Sequence, residues 1–532
     1  MSARNFVKIK DPIYGYIEIA DDDDVKTIIN SALFHRLENI IQTSYTAVYP
    51  SSVHNRFIHS VGVYYLGTLA VDGIKKNCDE EIKNEVEKYE KTFKLACLLH
   101  DLGHSPFSHT GEVYYDDAIE KPWDLLMKEL SDDEFNSDGQ NLGKHPGAAH
   151  ERMSALEAII YFKDYITEDQ RSFFARCIIG LKYRDKADIR NCFIELLNSS
   201  TIDVDKLDYL IRDSYFTGFK SVSIDYERLL SSFCIIKNVD EEFVLGFAKT
   251  GLSTLESVIL AHDMERKWIQ GHPVIQYECF LLDSIIYKIV KKYRDENGVD
   301  LFSLKSLTTE GLSLKEGRCV RLLSDSDILF AAKNELYESG AVQEFFNRDI
   351  RRRTLWKTEA EYRFFVENKF GKDEIKKFGD IIESLQKSID SYREKCKELP
   401  LIDEGFLAYL ENKIESSGKI DKTLRRDAKA TQKTLNLVKR IKEFSDTRGY
   451  KFEYCLRTCK QFYSSFNKDA LKKVKIVFDG NKTVDLQDVV NLFEQNEPRE
   501  NFFYFYVNSE DHLKFDTSAF VKLLRDFAED GN

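Results

Sequence analysis

Proline is scarce, eight in 532 residues, so little in the chain breaks a long helix. No stretch approaches the roughly 18 uncharged apolar residues of a membrane span, and the opening MSARNFVKIKDP has no apolar signal core. A cytoplasmic protein without a membrane anchor is expected. Positive charge is in deficit: 77 Lys and Arg stand against 90 Asp and Glu, a formal net charge of −13. That balance argues against a surface built mainly to hold nucleic acid, although one basic pocket can sit on an acidic body. The ten cysteines are scattered, and the closest pair, Cys455 and Cys459, lacks a second pair to complete a zinc set. Reduced thiols fit better than a disulfide framework.

What is present is helical periodicity. Apolar residues recur at three- and four-residue spacing around Val25 to Gln42, His59 to Asn77, Glu80 to His100, His150 to Lys163 and Glu168 to Leu181. Strand signals are few: DPIYGYIEI near the N-terminus reads as a hairpin, and VKIVFDGNKTVDL from Val474 as a second with Gly480 and Asn481 at its bend. The expected fold is mainly α with short β-hairpins. A chain this long exceeds one core, so a large domain with at least one appended unit is expected. Asp116 to Lys144, containing SDDEFNSDGQN, reads as an exposed insertion or lid. Lys372 to Asp446, rich in Lys, Glu, Gln and Ser at helical spacing, reads as exposed helices. The expected division is 1–365 for the main body, 366–449 for the charged helical segment and 450–532 for a small C-terminal α/β unit.

The chemistry concentrates in histidine. Seven of eleven fall between positions 54 and 150: His54, His59, His100, His104, His109, His145 and His150. A single helical histidine is usually a packing or surface residue; a cluster is not so easily dismissed. In LACLLHDLGHSPFSH an apolar helix delivers His100 and Asp101 together, an imidazole and a carboxylate able to share one cation. His104 shares their face if the helix continues, and the Ser-Pro that follows should bend the chain and throw His109 over the same pocket. Two further ligands are on offer. His59 lies in the apolar segment HNRFIHSVGVYYLG, and Asp205 heads TIDVDKLDYLIRD, where Asp203, Asp205, Asp208 and Asp213 alternate with apolar residues. Acidic residues also favour a helix N-terminus for reasons unrelated to metal.

The order His59, His100-Asp101, Asp205 resembles the H…HD…D signature of the HD-domain phosphohydrolases. DPIYGYIEI, FHRLENIIQ, HNRFIHSVGVYYLG, LLHDLGHSPFSH and DVDKLDYLIRDS resemble, in the same order, segments of the deoxynucleoside triphosphate triphosphohydrolases, including the vertebrate sterile-alpha-motif and HD-domain enzyme. The resemblance implies a helical HD catalytic core with a regulatory extension in 1–365. It implies a metal on His59, His100, Asp101 and Asp205, with iron, zinc or manganese there and magnesium on the nucleotide phosphates. Hydrolysis of a dNTP to deoxynucleoside and inorganic triphosphate would follow. His109 would supply a proton with Glu112 behind it, while His104 and His150 assist. Arg56 and Lys206 would hold phosphates; Gln42, Tyr209 and Asp213 would contact the sugar, and Arg266 is a further phosphate candidate. Arg353, Leu355 and Lys357 resemble an RxLxK element of a regulatory nucleotide site.

There are departures. Asn30, His35 and Glu38 stand where the vertebrate enzyme has the Asp, Gln and Arg that read a guanine nucleotide. Thr43 stands where a leucine would crowd a 2′-hydroxyl, and Val274 where a stacking tyrosine is expected. The resemblance also implies a homo-oligomer, a dNTP substrate and a possible regulatory nucleotide. Nucleic acid remains an unfavoured partner. Another HD activity, such as a nucleotidase or a phosphodiesterase, and a nucleotide-sensing module without turnover are the alternatives.

Overall fold

The computed structural model describes residues 7–19, 23–44, 46–118, 120–142, 146–220, 222–238, 240–349, 351–366, 372–396, 399–417, 422–459, 471–478, 482–490 and 502–529. His145 and the expected bend at Gly480 and Asn481 lie outside them. The fold is mainly α with small sheets, as the periodicity predicts.

By packing, the chain forms two discontinuous compact units. One comprises Met1–Arg266, Ile286–Ala332 and Tyr463–Gln495, the other Lys267–Ile285, Lys333–Phe462 and Asn496–Asn532. The consecutive segments expected from the sequence are therefore interleaved, and strand pairing is the reason. Lys475–Phe478 runs parallel to Phe243–Ala248 in a four-stranded sheet completed by Phe233–Lys237 and Lys482–Asp485, which places this part of the C-terminal region in the first unit. Arg352–Thr354 pairs with Phe502–Asn508, and Cys455–Cys459 lies on the other edge of that sheet in the second unit.

In the first unit, Val7–Asp11 and Gly15–Ile19 form the N-terminal hairpin. The Asp11 carboxylate accepts from the backbone of Ile13 (2.7 Å) and Tyr14 (2.9 Å), an Asx turn closed by Gly15 at φ +79°. The helix Arg56–Asn77 is capped by Asn55, whose side chain accepts from Ile58 N. It is long and apolar enough to cross a membrane, but 67% of its apolar window is buried in the protein, the mark of a core helix. It packs on Glu80–Leu99, where Gly67 lies so close to Cys97 that an added Cβ would meet the sulfur at 2.7 Å. Glu80–Leu99 starts on an Asp79 cap and ends in the fully buried run from Leu95 to Leu99.

The segment from Asp116 is not the exposed lid its composition suggests. It folds into the helices Pro122–Leu130 and Asp133–Gln140, which bury Trp123, Leu126 and Phe135, with the Trp123 and Phe135 rings stacked at 5.5 Å. Arg152 grips Asp116 with bonds of 2.7 and 2.8 Å, and buried Arg176 holds Asp138 at 2.8 Å. A few large apolar residues on one face outweigh many small polar ones on the other.

In the second unit, Phe502–Asn508 is buried along its whole length. The helices Lys372–Arg393, Glu404–Ser417 and Lys422–Arg448 are charged outside but bury Ile382, Leu385, Leu437, Val438 and Ile441. They are amphipathic packing helices rather than wholly exposed ones.

Candidate metal centre

Three elements of the first unit bring the chemistry together. His59 sits one turn into Arg56–Asn77, His100 and Asp101 follow directly on the end of Glu80–Leu99, and Asp205 lies in the first turn of Val204–Thr217. Asp203 caps that last helix by accepting from Lys206 N. His59 Nε2 lies 3.0 Å from Asp205 Oδ1, 3.5 Å from Asp101 Oδ2 and 3.3 Å from His100 Nε2. His100 Nε2 lies 3.4 Å from Asp101 Oδ1 and 3.5 Å from Asp205 Oδ1.

The ring orientations are set from behind. His59 Nδ1 donates to Asp208 Oδ2 at 2.7 Å, and His100 Nδ1 donates to the Cys97 carbonyl at 2.9 Å. With Nδ1 carrying the proton, each Nε2 turns a lone pair inward. In that neutral tautomer the donor atoms of His59, His100 and Asp205 all lie within 4.8 Å of one another, and Asp101 adjoins both rings. Such a set fits a divalent cation of borderline softness. Burial would lower His59, but its hydrogen bonds to Asp205 and Asp208 outweigh this and hold the ring up at about 9. A proton therefore competes with a cation for Nε2. Burial would raise Asp101, yet Arg56 at 2.7 Å and the neighbouring histidines hold it well below the usual carboxylate range.

Asp208 is the anchor that sequence reading missed. It accepts from Tyr14 Oη (2.8 Å), Arg212 Nε (2.8 Å) and Arg212 Nη2 (2.9 Å) as well as from His59, and Arg212 reaches on to Asp11 at 2.9 Å. All four of these supporting side chains are buried. Gly62 makes the approach possible, since a Cβ there would meet Asp208 Oδ1 at 2.1 Å. Its place one helical turn after Asp205 was the available signal.

A second group lies beside the first. The helix expected to carry His104 stops at Leu99, and a turn closed by His104 N to Asp101 O (3.0 Å) carries it instead. His104 Nε2 comes to 3.3 Å from Asp101 Oδ1, and the His104 ring stacks on His150 at 4.0 Å. Phe107 and Ser108 adopt left-handed conformations, φ +56° and +53°, and aim the short helix Ser108–Thr110 so that His109 meets both rings edge-on. Asp325 fastens this strained turn, accepting from Phe107 N at 2.6 Å and Ile41 N at 2.9 Å. Glu112 accepts from His109 Nδ1 at 3.2 Å and from His150 Nδ1. Burial would lower His150, but Glu112 raises it; burial, Arg56 and His150 push His104 well down. One stacked ring is thereby kept neutral while its neighbour is readily protonated.

Arg56 donates to Ser108 Oγ (3.0 Å) and the Gln42 carbonyl (3.2 Å) as well as to Asp101. Gln42 Oε1, Thr43 Oγ1 and both His104 ring nitrogens are buried without a well-aligned protein partner, as expected of groups that face a ligand or water. Lys206 turns to Asp203 (2.5 Å) and the Ser199 carbonyl (2.7 Å). Asp213 is buried against His54 at 2.7 Å. Arg266 is half-buried at the end of Leu252–Glu265, close enough to Tyr209 to act on its hydroxyl, and beside the buried His262, which burial and Arg266 push down to about 3. Arg353 and Lys357 are exposed residues of the second unit, where Lys357 N donates to Glu361 at 2.6 Å. Asn30 bonds the Lys26 carbonyl, and His35 pairs with Glu38 at 3.1 Å.

Residues 56–165 match the family model described as HD domain. A Dictyostelium discoideum protein named deoxynucleoside triphosphate triphosphohydrolase SAMHD1 homolog is 34% identical over 228 residues, 42% of this chain and 38% of that one. An uncharacterized protein of Methanocaldococcus jannaschii is 27% identical over 300 residues, 56% of this chain and 52% of its own. The matches thus span 38% and 52% of these curated relatives' own lengths. Among solved structures, a phosphohydrolase from Bacteroides thetaiotaomicron superposes with a TM-score of 0.55 at 17% identity, covering 94% of this chain and 99% of that one. At that identity the likeness is one of fold.

Proposed function

We propose that this chain, an HD-domain protein through residues 56–165, is a metal-dependent phosphohydrolase that cleaves deoxynucleoside triphosphates to deoxynucleoside and inorganic triphosphate. The observation that carries the reading is the inward-facing set of His59, His100, Asp101 and Asp205, with contacts of 3.0 to 3.5 Å between donors from three elements. The name of the Dictyostelium discoideum relative, a deoxynucleoside triphosphate triphosphohydrolase SAMHD1 homolog, supports the substrate class. Iron, zinc or manganese would be held there, and the cation would polarise a phosphoryl oxygen and bring the pKa of water toward about 7.

The remaining steps belong to the protein. Arg56 and Lys206 hold phosphate oxygens, Arg56 by exchanging part of its grip on Asp101 and Lys206 by swinging from Asp203. His109 delivers a proton to the departing 5′-oxygen. Its Nδ1 is oriented by Glu112, and its 65% exposed side chain can meet the substrate from the open side. His150, raised by the same carboxylate, re-supplies that proton, and neutral His104 donates its ring N–H on the phosphate side. Gln42, Tyr209 and Asp213 line the sugar side, Arg266 adds a phosphate contact, and magnesium accompanies the phosphates. A regulatory nucleotide near Arg353 and Lys357, a homo-oligomeric assembly and a cytoplasmic location complete the proposal.

The test is incubation of metal-loaded full-length protein with each dNTP and NTP, singly and in pairs, followed by product identification. Deoxynucleoside and intact triphosphate are expected. Release of orthophosphate or pyrophosphate instead would refute the bond assignment. An unchanged rate in the His100→Ala, Asp101→Ala double variant would refute the site.

A further inference from the structure

A cavity of about 980 Å³ opens elsewhere on the first unit. Its wall brings together the loop after Arg171–Ile179, the loop before the Asp205 helix, the strand Phe243–Ala248 and the start of the strand Lys475–Phe478. Six cationic side chains line it: Lys182, Arg184, Lys186, Lys472, Lys473 and Lys475. Only three carboxylates do, those of Asp138, Glu195 and Glu242. In a chain of net charge −13 a two-to-one cationic excess runs against composition. Asp138 is moreover engaged by the fully buried Arg176 at 2.8 Å. Four of the six cations are paired, Lys182 with Glu195, Arg184 with Asp138 at 2.5 Å, Lys186 with Glu242 at 3.4 Å and Lys475 with Asp485 at 2.6 Å, but the Lys182, Arg184 and Lys186 side chains are 50%, 60% and 77% exposed. Pairs of that kind are weak and screened, so an incoming anion can take over the ammonium groups. The floor is apolar, formed by buried Leu181, Leu245 and Phe247.

We infer that this cavity is a second ligand site, distinct from the metal centre, that binds a linear polyphosphate chain, free or carried by a nucleoside. Flexible lysines at several points of a wall suit a run of phosphates, each met by a point charge, better than a single carboxylate, for which a planar arginine fork is the usual partner. The size falls within the range of small-molecule pockets, and the apolar floor leaves room for a base. Ser199 and Thr201 line the cavity, and the Ser199 carbonyl accepts from Lys206 while its N–H donates to Asp203 at 2.8 Å. A ligand here therefore touches the loop that caps the Asp205 helix.

The experiment is equilibrium dialysis of the full chain against labelled inorganic triphosphate with a chelator present, so that no cation assists binding. Saturable binding is expected, weakened at least about tenfold by Lys186→Ala, Lys472→Ala and Lys473→Ala together and restored by the matching Lys→Arg triple variant. Arg56→Ala, which removes a phosphate contact at the metal centre, should leave the component lost in the triple alanine variant unchanged. Loss of binding in Arg56→Ala with retention in the triple alanine variant would overturn the proposal, as would an absence of saturable binding. Binding of a single-stranded oligonucleotide but not of triphosphate would overturn it as well. A second arm compares dATP with triphosphate: tighter dATP binding assigns the floor to a base, and equal affinity assigns the site to the polyphosphate chain alone. Because no turnover is measured, failure here is separable from failure of the hydrolase reading.

Discussion

Replacing Asp208 by Asn probes how the metal centre is held without touching a proposed ligand. The carboxylate is fully buried and accepts four hydrogen bonds, from Tyr14, His59 and twice from Arg212. An amide of the same shape has one oxygen and turns an NH₂ toward two of those donors, so two lose their acceptor, one of them on Arg212, whose only remaining anionic partner is Asp11. Breaking a buried ion pair costs roughly 3–5 kcal/mol; with Asp11 still in place, the lower end, about 3 kcal/mol, is expected. His59 also loses the carboxylate that fixes its Nδ1 proton, and such a partner is typically worth about 10–100-fold in metal affinity. Thermal melts of chelated protein, paired with chelator-competition titrations of zinc and manganese, separate the two effects. The expected result is a melting temperature lower by several degrees and cation binding weakened by at least about tenfold. A variant with both quantities unchanged would refute the claim that Asp208 orients His59.

Two further outcomes follow from buried groups away from the ligands. Burial raises Glu157 to about 8, with Arg36 offsetting only part of it. The folded state thus holds a proton that the unfolded state releases near 4.3, so stability is fullest below about 4.3 and falls as pH rises toward 8. Glu157→Gln should flatten that decline in urea unfolding at pH 5, 7 and 8.5; parallel curves for the two proteins would contradict it. Trp123→Ala should cost about 3–5 kcal/mol of unfolding free energy, because the ring is buried against Phe135 and Gly139. A denaturation midpoint shifted by less than the error would return the segment to the status of an exposed lid.

The parts legible in the sequence were those fixed by short-range pattern. The apolar spacing of FIHSVGVYYLG and LACLLHD marked the two helices that carry His59 and His100, and the Ser-Pro step marked the bend before His109. What escaped was set by contacts between distant positions. Asp208 looked like one of several acidic residues, because its partners Tyr14 and His59 converge on it only once the N-terminal hairpin and the His59 helix are docked. Asp325 carried no local sign of its bonds to Ile41 and Phe107. In the segment from Asp116, polar composition concealed three large apolar residues that two short helices bury. Averaging hydropathy along a chain weighs residues equally, whereas burial weighs them by area.

The tie from Asp325 bears on how the protein is made. During synthesis, both the His100 helix and the turn at Phe107 leave the ribosome more than two hundred residues before the carboxylate that fastens them. A nascent chain halted before residue 325 would hold every proposed cation ligand yet lack the clasp on its histidine turn, so competence should arrive late and abruptly rather than grow with length.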